Sequence, residues 1–431
     1  MTITFIAHAT PEPALYGAMA AILAELRALP LCHLPATHDA KRYANARQHV
    51  TAQGHLLTSG LVWLERLTGR GAGAECDLKS LIARALKEDI VVPSTGPLNA
   101  ELAALAAENG IAVESLRVAT QQNKFQLEDA GSGKMRSNGW ARDAFGRWAL
   151  GSVLQPVMRA GKKLRVALVG DMNEHRDSYP ALLAALGDAA DALALNIEVV
   201  YLPANLLGSQ LDSTLFDVDG VLLPGLQFGA GENPQAAQLA AASWALDNLL
   251  PILGVNQGMH VMTAALGQKV LGRERVVMHG PAAINALQTC LPMGNDAHWA
   301  AGEPPTFCMG NQQVHSKSGS RIEQIIGREA TMRYNQRWSL NPQLLDELHN
   351  AGLCVSGTDE TGLSAEAIEL RDHPFFVGVQ SQPELTSRRE RASPMLMAFL
   401  QEVRQNNRQR DVSHAALTQS VRLKQSYFSM G

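Results

Sequence analysis

The chain has 431 residues, of which 46% are hydrophobic and 18% charged, with a formal net charge of -4. That length exceeds one ordinary core, so two domains are expected. The charge balance argues against a general nucleic-acid or membrane surface, and no run of about 18 uncharged apolar residues offers a membrane span. Five scattered cysteines (Cys32, Cys76, Cys290, Cys308, Cys354) are odd in number. They fit a reducing, cytoplasmic setting without a disulfide framework.

Met1 to Ala7 lacks a basic start and reads as a first strand, not a signal peptide. A helix is expected over Pro11 to Leu26, and another within residues 56 to 88. Between them lie Cys32, His33, His38, His49 and His55. Imidazole and thiolate are good metal ligands, but this spacing matches no finger or zincin pattern, so no metal is assigned. Asp89 to Pro93 reads as a strand, Leu98 to Asn109 as a helix and Ile111 to Val118 as a strand. The alternation makes the first domain α/β. His8, Thr10, Ser94, Thr95 and Asn99 fall at its strand ends. Gly131-Ser132-Gly133-Lys134 invites a phosphate-loop reading, but Met135 follows the lysine and no strand is expected over Gln126 to Ala130. A flexible polar loop is the better reading. Arg136, Arg142 and Arg147 with Trp140 and Trp148 then read as a linker helix with a solvated basic face.

The second domain opens after Gly161-Lys162-Lys163. Leu164 to Gly170 is a continuous apolar run ending in glycine, the sign of a buried parallel strand. A helix over Ser178 to Leu186, strands over Ile197 to Leu202 and Asp219 to Gly225, and a helix over Asn233 to Asn248 follow. This order places turns at strand C-termini, where open α/β sheets hold ligands. The central stretch is Leu253-Gly254-Val255-Asn256-Gln257-Gly258-Met259-His260. A buried strand passes through a Gly-X-X-X-Gly turn into a helix, the layout of a nucleophile elbow. Its glycines permit a tight turn, and the helix N-terminus favours a developing anion. The side chain lifted there is Asn256, a carboxamide with no usable pKa and very poor nucleophilicity.

The second domain resembles the class I (triad) glutamine amidotransferases, and within them the glutaminase domain of CTP synthase. The motifs run in order: Arg165-Val166-Ala167-Leu168-Val169-Gly170, Asp219 to Gly225, the elbow, Ser356-Gly357-Thr358-Asp359, Ile368-Glu369, His373 to Gln380 and Ser381-Gln382-Pro383-Glu384-Leu385. The resemblance implies a flavodoxin-like open sheet over 159–405, after an unrecognised α/β domain with its linker helix over 1–158 and before a C-terminal helix or tail over 406–431. It implies a triad of cysteine, histidine and glutamate, which fall on Asn256, Gln382 and Glu384. Only the carboxylate is kept. The loop glycine of the family falls on Leu226, although Gly225, Gly229 and Gly231 keep the loop glycine-rich. The family's Thr-Met-Arg segment falls on Thr306-Phe307-Cys308, and its basic segment on Arg333 to Arg337.

Two losses among three catalytic positions imply that glutamine hydrolysis has been abandoned. Cys308 as a substitute thiol and His260 as a substitute base are disfavoured, the first expected on a strand away from the elbow and the second one helical turn further in. Asn256 and Gln382 are expected either to bond each other in a closed relic site or to bind a small polar ligand, with Gly225, Leu226, Gly229 and Gln257 around it. The alternative is an enzyme of a specialised amino-acid or nucleotide pathway, a CTP-synthase-like ligase or amidotransferase working at the domain interface. A structural subunit needing a partner chain is the third reading. No cofactor is named by the sequence. A small-molecule ligand or partner subunit is expected, without nucleic acid or membrane, and a homo-oligomer stays open.

Overall fold

The computed structural model describes residues 1–10, 12–39, 55–56, 66, 75–121, 124–137, 139–150, 161–203, 206, 208–225, 234–278, 286–293, 308–336 and 338–409. The chain divides into two units. The first comprises Met1–Met158, Met172–Asp188 and Glu384–Arg391, and the second comprises Arg159–Asp171, Ala189–Pro383 and Ala392–Gly431. Residues 172–188 and 384–391 thus interrupt the expected run 159–405 and group with the first unit. The architecture is α/β, as the sequence predicts.

The first unit carries a six-stranded sheet in the order β2-β1-β3-β4-β5-β6. Its strands are β1 (Thr2–Ala7), β2 (Ile90–Ser94), β3 (Ala112–Gln121), β4 (Lys124–Asp129), β5 (Trp140–Arg142) and β6 (Trp148–Leu150). β1 is rich in β-branched residues and pairs in parallel with both β2 and β3. Its alternation feeds two core layers. Ile3 and Phe5 join Leu81, Ile82, Leu102 and Ala106, while Ile6 joins Met19, Ile22 and Leu23.

Several local expectations change here. The helix expected over Pro11 to Leu26 is split: a 3-10 turn over Pro13–Leu15 precedes a helix over Ala18–Arg27, because Gly17 takes φ 73°. Within 56–88 the structure describes a helix over Leu78–Ala85, whereas 57–65 and 67–74 lie outside the described residues. Gln126 to Asp129 is strand, not loop, and Gly131 to Lys134 is a tight turn. Asp129 Oδ1 accepts from the backbone N–H of Gly131 and Ser132 and from the Ser132 hydroxyl, an arrangement suited to a turn and not to a phosphate cradle. The expected linker helix is instead β5 and β6, an antiparallel pair in which Arg142 lies opposite Trp148. Arg142 stacks over the Trp148 ring at 5.4 Å and pairs with Asp177 at 2.6 Å, so it is not a solvated basic group.

His8 follows β1 and is buried, its ring edge-on to Phe125 with centroids 5.2 Å apart. Burial lowers its pKa from 6.5 to about 4, offset in part by a backbone hydrogen bond to Leu15. The unfolded chain therefore takes up this proton near pH 6.5 and the folded chain only near 4. The contribution is complete above pH 6.5 and is lost as pH falls from there towards 4, by up to about 3 kcal/mol. Removing the ring in His8→Asn is expected to flatten that part of the stability-against-pH curve, measured by urea denaturation. An unchanged slope would contradict the assignment.

The second unit holds a nine-stranded sheet in the order β15-β14-β17-β18-β19-β10-β9-β7-β8. The strands are β7 (Leu164–Val169), β8 (Ile197–Leu202), β9 (Gly220–Leu223), β10 (Ile252–Val255), β14 (Cys308–Ser316), β15 (Glu329–Gln336), β17 (Leu353–Thr358), β18 (Ala365–Leu370) and β19 (Phe376–Val379). β11 (Val276–Val277) with β12 (Leu287–Gln288), and β13 (Cys290–Pro292) with β16 (Trp338–Leu340), form small pairs beside it. From β8 to β19 the pairing is parallel, and from β18 to β15 it is antiparallel. β10 is paired along both edges, with β9 and β19, and all four of its residues are buried, which fits a sequence wholly apolar or glycine. Helices over Pro234–Asp247 and Gln257–Leu271 pack with it around Val221, Leu223, Ile252, Met259 and Met262. The expected helix over Ser178 to Leu186 begins later, at Pro180, and continues to Ala192. A helix over 394–409 runs into the span 406–431 expected as a C-terminal helix or tail, of which 410–431 lie outside the described residues.

Candidate active site

The elbow forms where the sequence predicts it. β10 ends at Val255, the helix Gln257–Leu271 starts two residues later, and Asn256 makes the turn with φ 50° and ψ -115°. Such a backbone conformation in a residue other than glycine is strained by about 1–3 kcal/mol. Backbone bonds hold it: the Asn256 N–H donates to the Val379 carbonyl at 2.7 Å, and the Asn256 carbonyl accepts from Met259 at 3.0 Å. The glycines explain why strand and helix can approach so closely. A Cβ on Gly254 would come within 2.5 Å of the Met262 sulfur and 2.6 Å of Gly258, and one on Gly258 would strike the Leu223 carbonyl oxygen.

Gly225, at the end of the neighbouring strand run, lies directly against the Asn256 side chain, since a Cβ there would sit 2.6 Å from the Asn256 Cβ. Gln257 is buried beside it. Leu226 and Gly229 lie outside the described residues. The Asn256 amide donates to the Gln380 carbonyl at 3.3 Å. It therefore bonds Gln380, not Gln382 as one sequence expectation had it. Gln382 is 1% exposed, and its N–H donates to the Arg333 carbonyl at 2.7 Å. Glu384 is buried at the start of a 3-10 turn over Pro383–Thr386 and belongs to the first unit.

Of the substitute residues, His260 shares Gln380 with Asn256, and Cys308 stands apart. His260 Nε2 meets Gln380 Oε1 at 2.7 Å in the buried interior. Cys308 lies on β14, four strands from β10 in the sheet order. Burial pushes its thiol pKa up, and the nearby Glu366 carboxylate adds to this, so the reactive thiolate is disfavoured. Among the described residues, no three of His, Cys, Asp and Glu stand where they could share a metal ion. His49 lies outside them, while His33 is buried with a lowered pKa and His55 pairs with Glu75 at 2.9 Å.

Sequence reasoning missed two neighbouring groups, Glu366 on β18 and Tyr334 on β15. Burial, followed by the Glu366 charge, pushes the Tyr334 phenol up, and burial raises the Glu366 carboxyl. The two lie close, yet neither Glu366 Oε2 nor the Tyr334 hydroxyl makes a well-formed hydrogen bond. Their signal was the strand parity that puts Glu366 on the same face as buried Ile368, a position where a carboxylate is rare.

A family model described as glutamine amidotransferase class-I matches residues 175–402. The chain belongs to that family. The chain is 30% identical to a CTP synthase from Bacillus cytotoxicus over 254 residues, which is 58% of this chain and 46% of that protein. It is 26% identical to a CTP synthase from Thermomicrobium roseum over 366 residues, 82% of this chain and 64% of the relative. The chain thus spans about half the length of the first of these relatives. Among solved structures, the glutaminase domain of Trypanosoma brucei CTPS with bound acivicin is 25% identical, with a TM-score of 0.49, covering 56% of this chain and 94% of that one. No helix among the described residues is long and apolar enough to cross a membrane.

Proposed function

We propose that this amidotransferase-family protein binds a small polar ligand at the elbow and does not hydrolyse glutamine. The observation that carries the reading is Asn256 on the strained turn at the helix N-terminus. A carboxamide there can donate and accept hydrogen bonds but is a very poor nucleophile. The family resemblance assigns the cysteine to Asn256 and the histidine to Gln382, which takes no proton near neutral pH. Close by, Gln380 Nε2 and Gln382 Oε1 are buried without hydrogen-bond partners among the described residues. Each such atom costs about 1–3 kcal/mol if left unmet, so a polar ligand or ordered water is the chemically sensible complement. The five cysteines are all free thiols, which supports a reducing, cytoplasmic setting.

Purified protein is expected to release no ammonia from glutamine above the protein-free background. Turnover that disappears in Cys308→Ser would overturn the reading. A thermal-shift series with glutamine, glutamate and asparagine tests binding. A ligand at about a hundred times its Kd stabilises by about 2.7 kcal/mol, a shift of several degrees at roughly 2–4 °C per kcal/mol.

A second reading, a ligase or amidotransferase related to CTP synthase, is favoured by one observation. The alignment with the Thermomicrobium roseum protein covers 82% of this chain and so reaches into the first unit. A shift with nucleoside triphosphate and magnesium, absent with amino acids, would support it over the first.

A further inference from the structure

A cavity lies in the second unit, on the antiparallel side of the sheet. It has a volume of about 440 Å³ and is walled by the ends of β14 and β17, the turn into β18 and the helix Pro342–His349. That volume is in the range of small-molecule sites, roughly 300–1,000 Å³. Its walls are held in place by their own bonds. Asp359 Oδ1 accepts from the backbone of Leu363 and Ser364, each at 3.1 Å, and so shapes the rim. Asn341 caps the helix through Gln343 N at 3.1 Å and anchors it to the Gln288 carbonyl at 2.8 Å.

The lining divides by chemistry. Leu340, Leu345 and Val355 supply apolar surface, while Lys317 and Asp346 face the same cavity with opposite charges. Those two make no ion pair with each other, nor does either make one with any other described residue. Ser316, next to Lys317, has a hydroxyl without a hydrogen-bond partner among the described residues. Opposite charges that make no ion pair among the described residues, set over an apolar wall, complement a small zwitterion whose body is apolar.

We propose that this cavity binds a free α-amino acid with an apolar side chain. The carboxylate meets the Lys317 ammonium, and the Ser316 hydroxyl turns to donate to it. The α-ammonium meets the Asp346 carboxylate, and the side chain lies on Leu340, Leu345 and Val355. The site is separate from the elbow and does not depend on the function proposed for it.

Isothermal titration of the full chain with L-leucine and L-phenylalanine tests this. Saturable binding is expected, weakened about two- to fivefold by Lys317→Ala and by Asp346→Ala, since each removes one charge contact at an exposed position. N-acetylleucine, which lacks the ammonium, and leucine methyl ester, which lacks the carboxylate, should each bind more weakly by a similar factor. Both substituted residues are at the surface, so the variants should fold. No binding at millimolar amino acid, or binding that neither variant alters, would overturn the proposal.

Discussion

Replacing Asp188 with alanine is expected to destabilise the first unit by about 3–5 kcal/mol, the cost of breaking a buried ion pair by removing one partner. The carboxylate is fully buried and is gripped from several sides. Arg66 holds it through two nitrogens, Nη1 to Oδ2 at 2.7 Å and Nη2 to Oδ1 at 2.8 Å. Arg147 Nη1 reaches Oδ1 at 3.0 Å, and the Ser387 hydroxyl donates to Oδ2 at 2.8 Å. The side chains of Arg66 and Arg147 are 7% and 14% exposed, so neither guanidinium can recover its solvation in water. Arg147 keeps Asp143, at 2.8 Å, as a second partner, which moderates the loss on its side. Asp188→Asn preserves the shape and should fall between alanine and the parent. Urea denaturation measures both variants. A loss below about 1 kcal/mol for alanine, the range of an exposed pair, would show that the network does not hold the unit together.

Gly258→Val is expected to cost about 3 kcal/mol and to lower Tm by roughly 6–12 °C. Helix propensity alone argues for the opposite sign, because a glycine inside a helix is worth roughly 0.8–1 kcal/mol less than alanine. Packing decides, since a Cβ at this position strikes the Leu223 carbonyl oxygen and lies 3.0 Å from both the Leu223 carbonyl carbon and its Cβ. Backbone atoms of a central strand cannot step aside as a flexible side chain can. The helix would have to lift from the sheet, carrying Asn256 with it. At Gly96 nothing lies within 4 Å of an added Cβ, so Gly96→Ala should stay within about 0.5 kcal/mol. Equal melting temperatures for Gly258→Val and the parent would refute this account of the elbow.

The second unit was legible because its signals are local. Leu164 to Val169 and Ile197 to Leu202 are continuous or β-branched runs bounded by breakers, and their strands match the expected spans closely. The elbow needs two glycines four residues apart and an apolar run before them, all within a short stretch. The first unit was harder. β5 and β6 are three residues each and carry tryptophan and arginine. Their strand character comes from pairing across the hairpin and from Arg142 reaching Asp177, neither of which has a period to read.

The sequence alone determined the α/β class, the strand–turn–helix at Asn256 and the absence of a cysteine from that turn, because these depend on residue type and near-neighbour spacing. Tertiary structure alone decided that residues 172–188 and 384–391 group by contact with the first unit. It also decided that Asn256 bonds the Gln380 carbonyl, and that Asp188 meets Arg66, Arg147 and Ser387. Those partners stand 41 to 199 positions apart in the chain. Contacts over such separations are selected by which buried charges and amides must find partners once the core closes, and that requirement leaves no local pattern in the sequence.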